Sequence, residues 1–443
     1  MATGAIEQAM ARGASGAECT IAEGDEFSVT VRMGEVETLK EAGSRAAGIR
    51  VLMGKCAGSS YTSDLTPDGI AKMVDAAFEI SAITTEDPFA GLPDPEDLGK
   101  LAGDLQLYSE DVAALPTDRK IAIAKQAEAA ALGFDPRITN SKGASFDTYT
   151  GQRAFANSLG FSGGYRSSYC SISVMPVARQ TDGKMERDYW YSSSRRFAGL
   201  DDPEEVGRIA ARRVIRRLGA RKVETQKVPV IFEPQTARSL LDHVFDAIDG
   251  RSIYRSSSFL AGKLGLQIAA PTVNIIDDGT LPGLMGTSPF DDEGVPSRRT
   301  VIIENGFLRN YLLNSYAARK LGHRTTGNAS RGVTGNAGIS HGNFYLEKGT
   351  ASPEEMIRGV KNGFFVTELI GQGVNIVTGD YSRGAAGVWI RDGELAFPVS
   401  EVTIASTLPD MLKGISGIGD DLLFRGSLES PTLMIGEMTV GGR

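Results

Sequence analysis

The chain has 443 residues, 41% of them hydrophobic and 23% charged, with a formal net charge of −8. That length suits about two to three domains around ample core, and the acidic balance disfavours a nucleic-acid binder, which needs a dominant basic surface. No apolar run reaches the roughly 18 residues of a membrane span, and Met1–Ala14, with Glu7 and Arg12 among small residues, lacks the basic and apolar regions of a secretion signal, so the expectation is a cytoplasmic protein.

In chain order, a short helix is predicted over 5–12, followed by strands over 18–22, 27–33, 36–41, 46–53 and 57–62. Phe27, Val29, Val31 and Met33 alternate with polar residues, as a half-buried strand requires. Glycine pairs such as Gly24-Asp25 read as turns between the strands. Thr66 and Pro67 open a helix with the stripe Ile70, Met73, Val74, Ala77, Phe78. Residues 87–116, rich in Pro, Asp and Gly, read as a linker, and 117–132 as a helix. Polar strands rich in Gly, Ser and Tyr follow over 146–150, 153–159, 165–178 and 184–191. Asp202, Pro203, Glu204 and Glu205 start a helix with an apolar face and an arginine face (Arg208, Arg212, Arg213, Arg216, Arg217, then Arg221), read as a solvated amphipathic helix. Beyond Val228 come a strand over 228–232, a helix over 236–249 ended by Gly250, and mostly strands thereafter. Two hairpins are expected at Asn305-Gly306 and Asp392-Gly393, helices over 352–362 (capping box at Ser352 and Glu355) and 408–415, and a last strand over 432–440. The fold class is α+β, with a mixed, antiparallel N-terminal region over 1–95, a central region over 96–225, and a larger, mostly antiparallel β-rich domain with a few helices over 226–443.

Three cysteines, Cys19, Cys56 and Cys170, are odd in number and far apart, which fits neither a disulfide framework nor a Cys-x-x-Cys pair. Three histidines, His243, His323 and His341, are too scattered for two to share a metal from one helix face, and no His-Glu-x-x-His is present. There is no P-loop. Gly414-Ile-Ser-Gly-Ile-Gly419 does not sit between a strand and a helix as a phosphate loop would. Two segments stand out. On the 236–249 helix, Asp242, Asp246 and Asp249 share a face with His243 beside them, so Asp242 and Asp246 could clamp a cation or simply be solvated. The segment Gly371–Gly387 combines tight-turn glycines with Asn375, Thr378, Asp380, Tyr381, Ser382 and Arg383, either to approach a bound chain closely or to build an elaborate turn.

That second segment, Gly373-Val-Asn-Ile-Val-Thr-Gly-Asp-Tyr-Ser-Arg-Gly-Ala-Ala-Gly-Val-Trp-Ile390, resembles the TldD/PmbA family in its PmbA (TldE) branch. Phe397–Ala405, Asp410-Met-Leu412, Ile435–Gly441, Val31–Thr38 and Asp87–Asp94 are similar to it as well, so the likeness spans essentially the whole chain. The resemblance implies a two-subunit peptidase. Its TldD-type subunit holds zinc through His-Glu-x-x-x-His and a distant cysteine. Its PmbA-type subunit lacks those ligands and helps enclose the chamber where peptides are cut. After Leu240-Leu241 the present chain has Asp242 and His243 at the first histidine and glutamate positions and Ala247 at the second histidine. Ser416 stands in the probable counterpart of the cysteine region. A metal-activated water with a glutamate base is therefore not expected on this chain; zinc is expected in a TldD-type partner, in a heterodimer that takes peptides or unfolded polypeptide. Asp380, Tyr381, Ser382 and Arg383 are the expected peptide-binding residues, and a homodimer is possible without the partner. Competing readings are a stand-alone metal-dependent hydrolase on Asp242, Asp246 and His243, and a DNA-associated protein of the gyrase-modulator kind, suggested by the arginine helix and by an older family name.

Overall fold

The alternation seen at Phe27, Val29 and Val31 extends much further than expected. In the computed structural model, which describes residues 1–442, they belong to one strand, Gly16–Arg32. It pairs antiparallel with Glu35–Met53 on one side and Ile138–Asn157 on the other. Strand order across the sheet is Cys56–Thr62, Glu35–Met53, Gly16–Arg32, Ile138–Asn157, Ser162–Arg179 and Met185–Arg187, with Trp190–Ser194 also on Ser162–Arg179. A single seven-stranded sheet thus spans both the N-terminal and the central regions.

Gly24-Asp25 is not a turn. Gly24 lies mid-strand because a Cβ there would stand 2.7 Å from the Tyr149 ring on the neighbouring strand; the glycine admits the aromatic rather than reversing the chain. Four helices cover one face. Ala2–Ala11 and Pro67–Ile83 pack on Cys19, Ala47, Ile49 and Val51, while Thr117–Leu132 and Pro203–Ile215 enclose Val29, Phe146, Ile172 and Val174. Thr66 caps its helix by accepting from the Gly69 amide at 3.2 Å, and Asp202 accepts from the Glu205 amide at 3.1 Å. The opposite face is polar: Ser28 donates to Asp147 at 2.6 Å, Thr30 meets Ser145 at 2.9 Å, and Tyr149 stacks on Tyr169 with centroids 5.6 Å apart.

The C-terminal domain begins at strand Gln226–Phe232. That strand pairs in parallel with Asn362–Ile370 and antiparallel with Leu433–Gly441. Asp380–Arg391 and Glu394–Thr407 continue the sheet, and Thr403–Ala405 pair back onto Thr439–Gly441, so five strands close on themselves. A second, five-stranded sheet includes Ile275–Asp278, Arg299–Glu304 and Asn343–Leu346. Both expected hairpins form, with positive φ at Asn305, Gly306, Asp392 and Gly393 as their two-residue turns demand. The Ser352–Glu355 capping box is present.

The segment read as a linker and the helix read as solvated both make contacts between the domains. Residues 87–116 are pinned: Arg319 donates to the carbonyls of Phe89 (2.8 Å) and Leu92 (2.9 Å), and Tyr316 to Asp87 (2.9 Å). On the arginine helix, Arg208 and Arg212 pair with carboxylates of their own helix. Arg213, however, is buried and binds Glu233 at 2.6 Å and Asp188 at 3.2 Å, and Arg217 reaches Glu368 at 2.5 Å. The face is solvated at Arg208 and Arg212, as expected, and becomes a buried ion-paired seam at Arg213 and Arg217. Among the described residues no helix is long and apolar enough to cross a membrane.

Candidate functional site

Helix Pro234–Ile248 follows directly from strand Gln226–Phe232 and wedges between the two C-terminal sheets. Leu240, Leu241, Val244, Ala247 and Ile248 are buried in the main core, and Asp242 and Asp246 face outward. His243 is only 8% exposed. Gly250 does not end the helix in a left-handed turn; Asp249 caps a further helix, Gly250–Tyr254, by accepting from the Arg251 amide at 2.7 Å.

The four positions where the resemblance would put zinc chemistry do not make a ligand set. Ala247 offers no donor and its methyl is fully buried. Asp242 is open to solvent. Ser416 sits on strand Ile415–Ile418, at the edge of the sheet beyond Leu433–Gly441, with its hydroxyl 3.5 Å from the Met434 carbonyl. Among the described residues no cluster of three or more His, Cys, Asp or Glu side chains is placed to grip a metal.

The fold does bring the two candidate segments together. Strand Asp380–Arg391 lays Tyr381 against the helix, and the His243 and Tyr381 rings meet edge to face with centroids 6.2 Å apart. Tyr381 is 2% exposed, and burial pushes its phenol pKa up. Burial, reinforced by the Arg383 guanidinium and partly opposed by Asp242, holds the His243 pKa below the usual histidine range, so the imidazole is neutral. Neither the buried Nε2 of His243 nor the buried Nε of Arg383 has a hydrogen-bond partner.

The rest of the glycine-rich segment builds the turn. Gly373 accepts from the Ser382 amide (2.7 Å), and a Cβ there would stand 1.9 Å from the Ser382 carbonyl. Asn375 accepts from Val377 (2.9 Å), and Thr378 donates to Asp380 (2.6 Å). Of the expected peptide-binding residues, Asp380 therefore serves the turn, Tyr381 the core, Ser382 is exposed, and Arg383 alone lines a cleft.

That cleft, of about 540 Å³, opens between the central sheet and the C-terminal domain. Lys142, Arg187, Arg238, Met175 and Leu369 line it beside Arg383. Sequence reasoning missed Lys142, Arg187 and Arg238. Only Arg238 carried a signal, lying one turn before Asp242 on the same helix; the other two arrive from strands far away in sequence.

Of the three residues of the stand-alone hydrolase reading, Asp242 and Asp246 face outward and His243 is buried. His243 turns inward to Tyr381, whereas Asp246 lines a separate opening of about 380 Å³ with Asp249, Arg251 and Arg255. Burial, with repulsion from Asp242 and Asp249, pushes the Asp246 pKa up to about 6. Asp249 is bound to Arg251 at 2.5 Å.

Three family models match the chain: PmbA/TldA metallopeptidase domain 1 over residues 17–81, the central domain over 110–218 and the C-terminal domain over 225–442. The chain is 41% identical to "Metalloprotease PmbA" of Escherichia coli O157:H7 over 428 residues, 97% of this chain and 92% of that protein. It is 39% identical to "Metalloprotease PmbA homolog" of Haemophilus influenzae over 438 residues, 99% of this chain and 94% of that one. A crystal structure from Bacteroides thetaiotaomicron, described as a candidate modulator of DNA gyrase, superposes with a TM-score of 0.93 at 27% identity, covering 100% of this chain and 98% of the other.

Proposed function

The chain belongs to the PmbA/TldD metallopeptidase family, in its PmbA/TldE branch, and from that premise we propose that it is the non-catalytic subunit of a two-chain zinc peptidase. A TldD-type partner holds the metal in its His-Glu-x-x-x-His helix. This chain pairs with it as a heterodimer, helps enclose the chamber and grips peptides or unfolded segments.

One observation carries the reading. Helix Pro234–Ile248 packs on strand Asp380–Arg391 through His243 and Tyr381, and the resemblance sets Asp242, His243 and Ala247 of that helix where the TldD-type subunit has His, Glu and His. On this reading the framework of the site is kept and its metal chemistry is given up. The polar face of the large sheet, with Ser28, Thr30, Ser145, Tyr149 and Tyr169, suits a wall against which an extended peptide hydrogen-bonds. The carboxylates that tie up Arg208, Arg212, Arg213 and Arg217 leave that helix little free cation for DNA, which weighs against the DNA-associated reading. Free thiols at Cys19, Cys56 and Cys170 suit the reducing cytoplasm.

The test is assembly. The purified chain is mixed with the same organism's His-Glu-x-x-x-His family member and run by size exclusion with light scattering. A one-to-one complex that excess of either chain does not displace supports the proposal; two unshifted peaks overturn it.

A further inference from the structure

We propose that the cleft at Arg383 is a binding site for a carboxylate of the peptide, with Arg383 as its main anchor and Arg238, Arg187 and Lys142 around it. The inference rests on the peptide-binding reading above and assigns the chemistry of one subsite.

Lys142, Arg187, Arg238 and Arg383 all line the cleft, and among the described residues none has a carboxylate within ion-pair distance. The acids of the same cleft face other arginines: Asp188 is bound by Arg213 at 3.2 Å through Oδ1, with Arg217 at 3.9 Å from its Oδ2, and Glu368 is bound by Arg217 at 2.5 Å. The seam neutralises itself and leaves four cations facing a shared space.

Hydrogen bonding points the same way. A buried donor without a partner costs about 1–3 kcal/mol, and native proteins hold few of them. The Nε of Arg383 is such a donor. An arginine presents its Nε–H and an Nη–H as a fork matched to the two oxygens of a carboxylate. His243 beside it stays neutral and so brings neither a competing negative charge nor a second positive one. Arg238 is held in place, its Nη1 donating to the Tyr191 hydroxyl at 2.8 Å, with further guanidinium N–H groups left to donate. Met175 and Leu369 add apolar wall. About 540 Å³ holds a few residues of extended chain and excludes a folded domain. The carboxylate is then either the C-terminus of the peptide or an Asp or Glu side chain.

Three unlabelled, N-terminally acetylated octapeptides of otherwise identical neutral sequence separate these sources by isothermal titration calorimetry, with the isolated chain and with its complex stripped of zinc. One ends in a free carboxylate, one in an amide, and one in an amide with a single internal glutamate. At least tenfold tighter binding of the first over the second identifies the C-terminus; recovery of that affinity by the third identifies a side chain. Arg383→Gln should erase the preference. Arg187→Gln, at the exposed rim and without an ion pair, should reduce it about threefold and serves if Arg383→Gln fails to fold. Equal binding of all three peptides, or a preference untouched by both variants, overturns the inference. If the complex forms and cleaves peptides yet shows no preference, only this inference fails; if no complex forms, the functional proposal fails first.

Discussion

His243 and Tyr381 stand edge to face with ring centroids 6.2 Å apart, joining a helix and a strand separated by well over a hundred residues of chain. The histidine is buried at this contact. It is enclosed by Tyr381 and sits near the Arg383 guanidinium, so protonation costs both solvation and repulsion.

The first expectation concerns that titration. A histidine whose folded pKa lies below its unfolded value stabilises the fold above the unfolded pKa, about 6.5, and that contribution is lost as pH falls below it. Arg383→Gln removes the repulsive cation but not the burial. Two-dimensional NMR of labelled histidines should show the His243 pKa rise in the variant while remaining below the value of a free histidine. An unchanged pKa would mean that Arg383 does not act on it.

Arg213 is the second case. Its side chain is 8% exposed and bridges Glu233 and Asp188. Arg213→Met leaves those carboxylates buried, with Arg216 still near Glu233 and Arg217 near Asp188, and breaking a buried pair in this way costs about 3–5 kcal/mol. Urea unfolding should show a loss near the lower end of that range. A loss under about 1 kcal/mol would place Arg213 among ordinary surface pairs.

Asp246 gives the opposite sign to His243. Its pKa is raised to about 6 by burial and by Asp242 and Asp249. A carboxyl with a raised folded pKa contributes stability below its unfolded pKa of about 3.9 and loses it as pH climbs through the folded value. Asp246→Asn should therefore be more stable than the parent at pH 7.5 and equal to it below pH 4. The group faces outward and is screened by solvent, so the gain is about 1 kcal/mol. Paired thermal scans across that pH range check it; a variant less stable at pH 7.5 would assign Asp246 an attractive partner.

Gly387 tests the strand register. A Cβ there would stand 1.9 Å from the Phe365 carbonyl, a backbone atom that cannot step aside without moving the strand. Gly387→Ala should cost more than about 2 kcal/mol through overpacking and strain, measured by denaturant unfolding. A neutral substitution would contradict the pairing of Val366 with Gly387.

Local signals were legible where local chemistry decides. Thr66, Asp202 and Ser352 cap the helices their sequences announce, because a cap needs only an amide three residues away. The Asn305-Gly306 and Asp392-Gly393 hairpins follow for the same reason. Gly24 misled because its partner, Tyr149, lies on another strand, so a glycine that makes room for a ring looks like one that turns the chain. The arginine helix misled likewise: Glu233 and Glu368 come from distant segments, and amphipathic periodicity does not tell a solvated cation from a paired one. For the candidate site, the motif positions Asp242, His243 and Ala247 could be named from the resemblance. The cleft around Arg383 could not, since Lys142 and Arg187 reach it only through the folding of the central sheet.

The central claim is the division of labour between two chains. The decisive measurement is hydrolysis of an unfolded peptide by this chain alone, by its His-Glu-x-x-x-His relative alone and by the mixture, with zinc per chain determined in each sample by elemental analysis. The account expects less than about 0.1 zinc and no turnover for this chain, about one zinc per relative, and full activity only in the mixture, with the His-Glu-x-x-x-His helix as the metal's seat. Stoichiometric zinc and peptide cleavage by this chain on its own would contradict it.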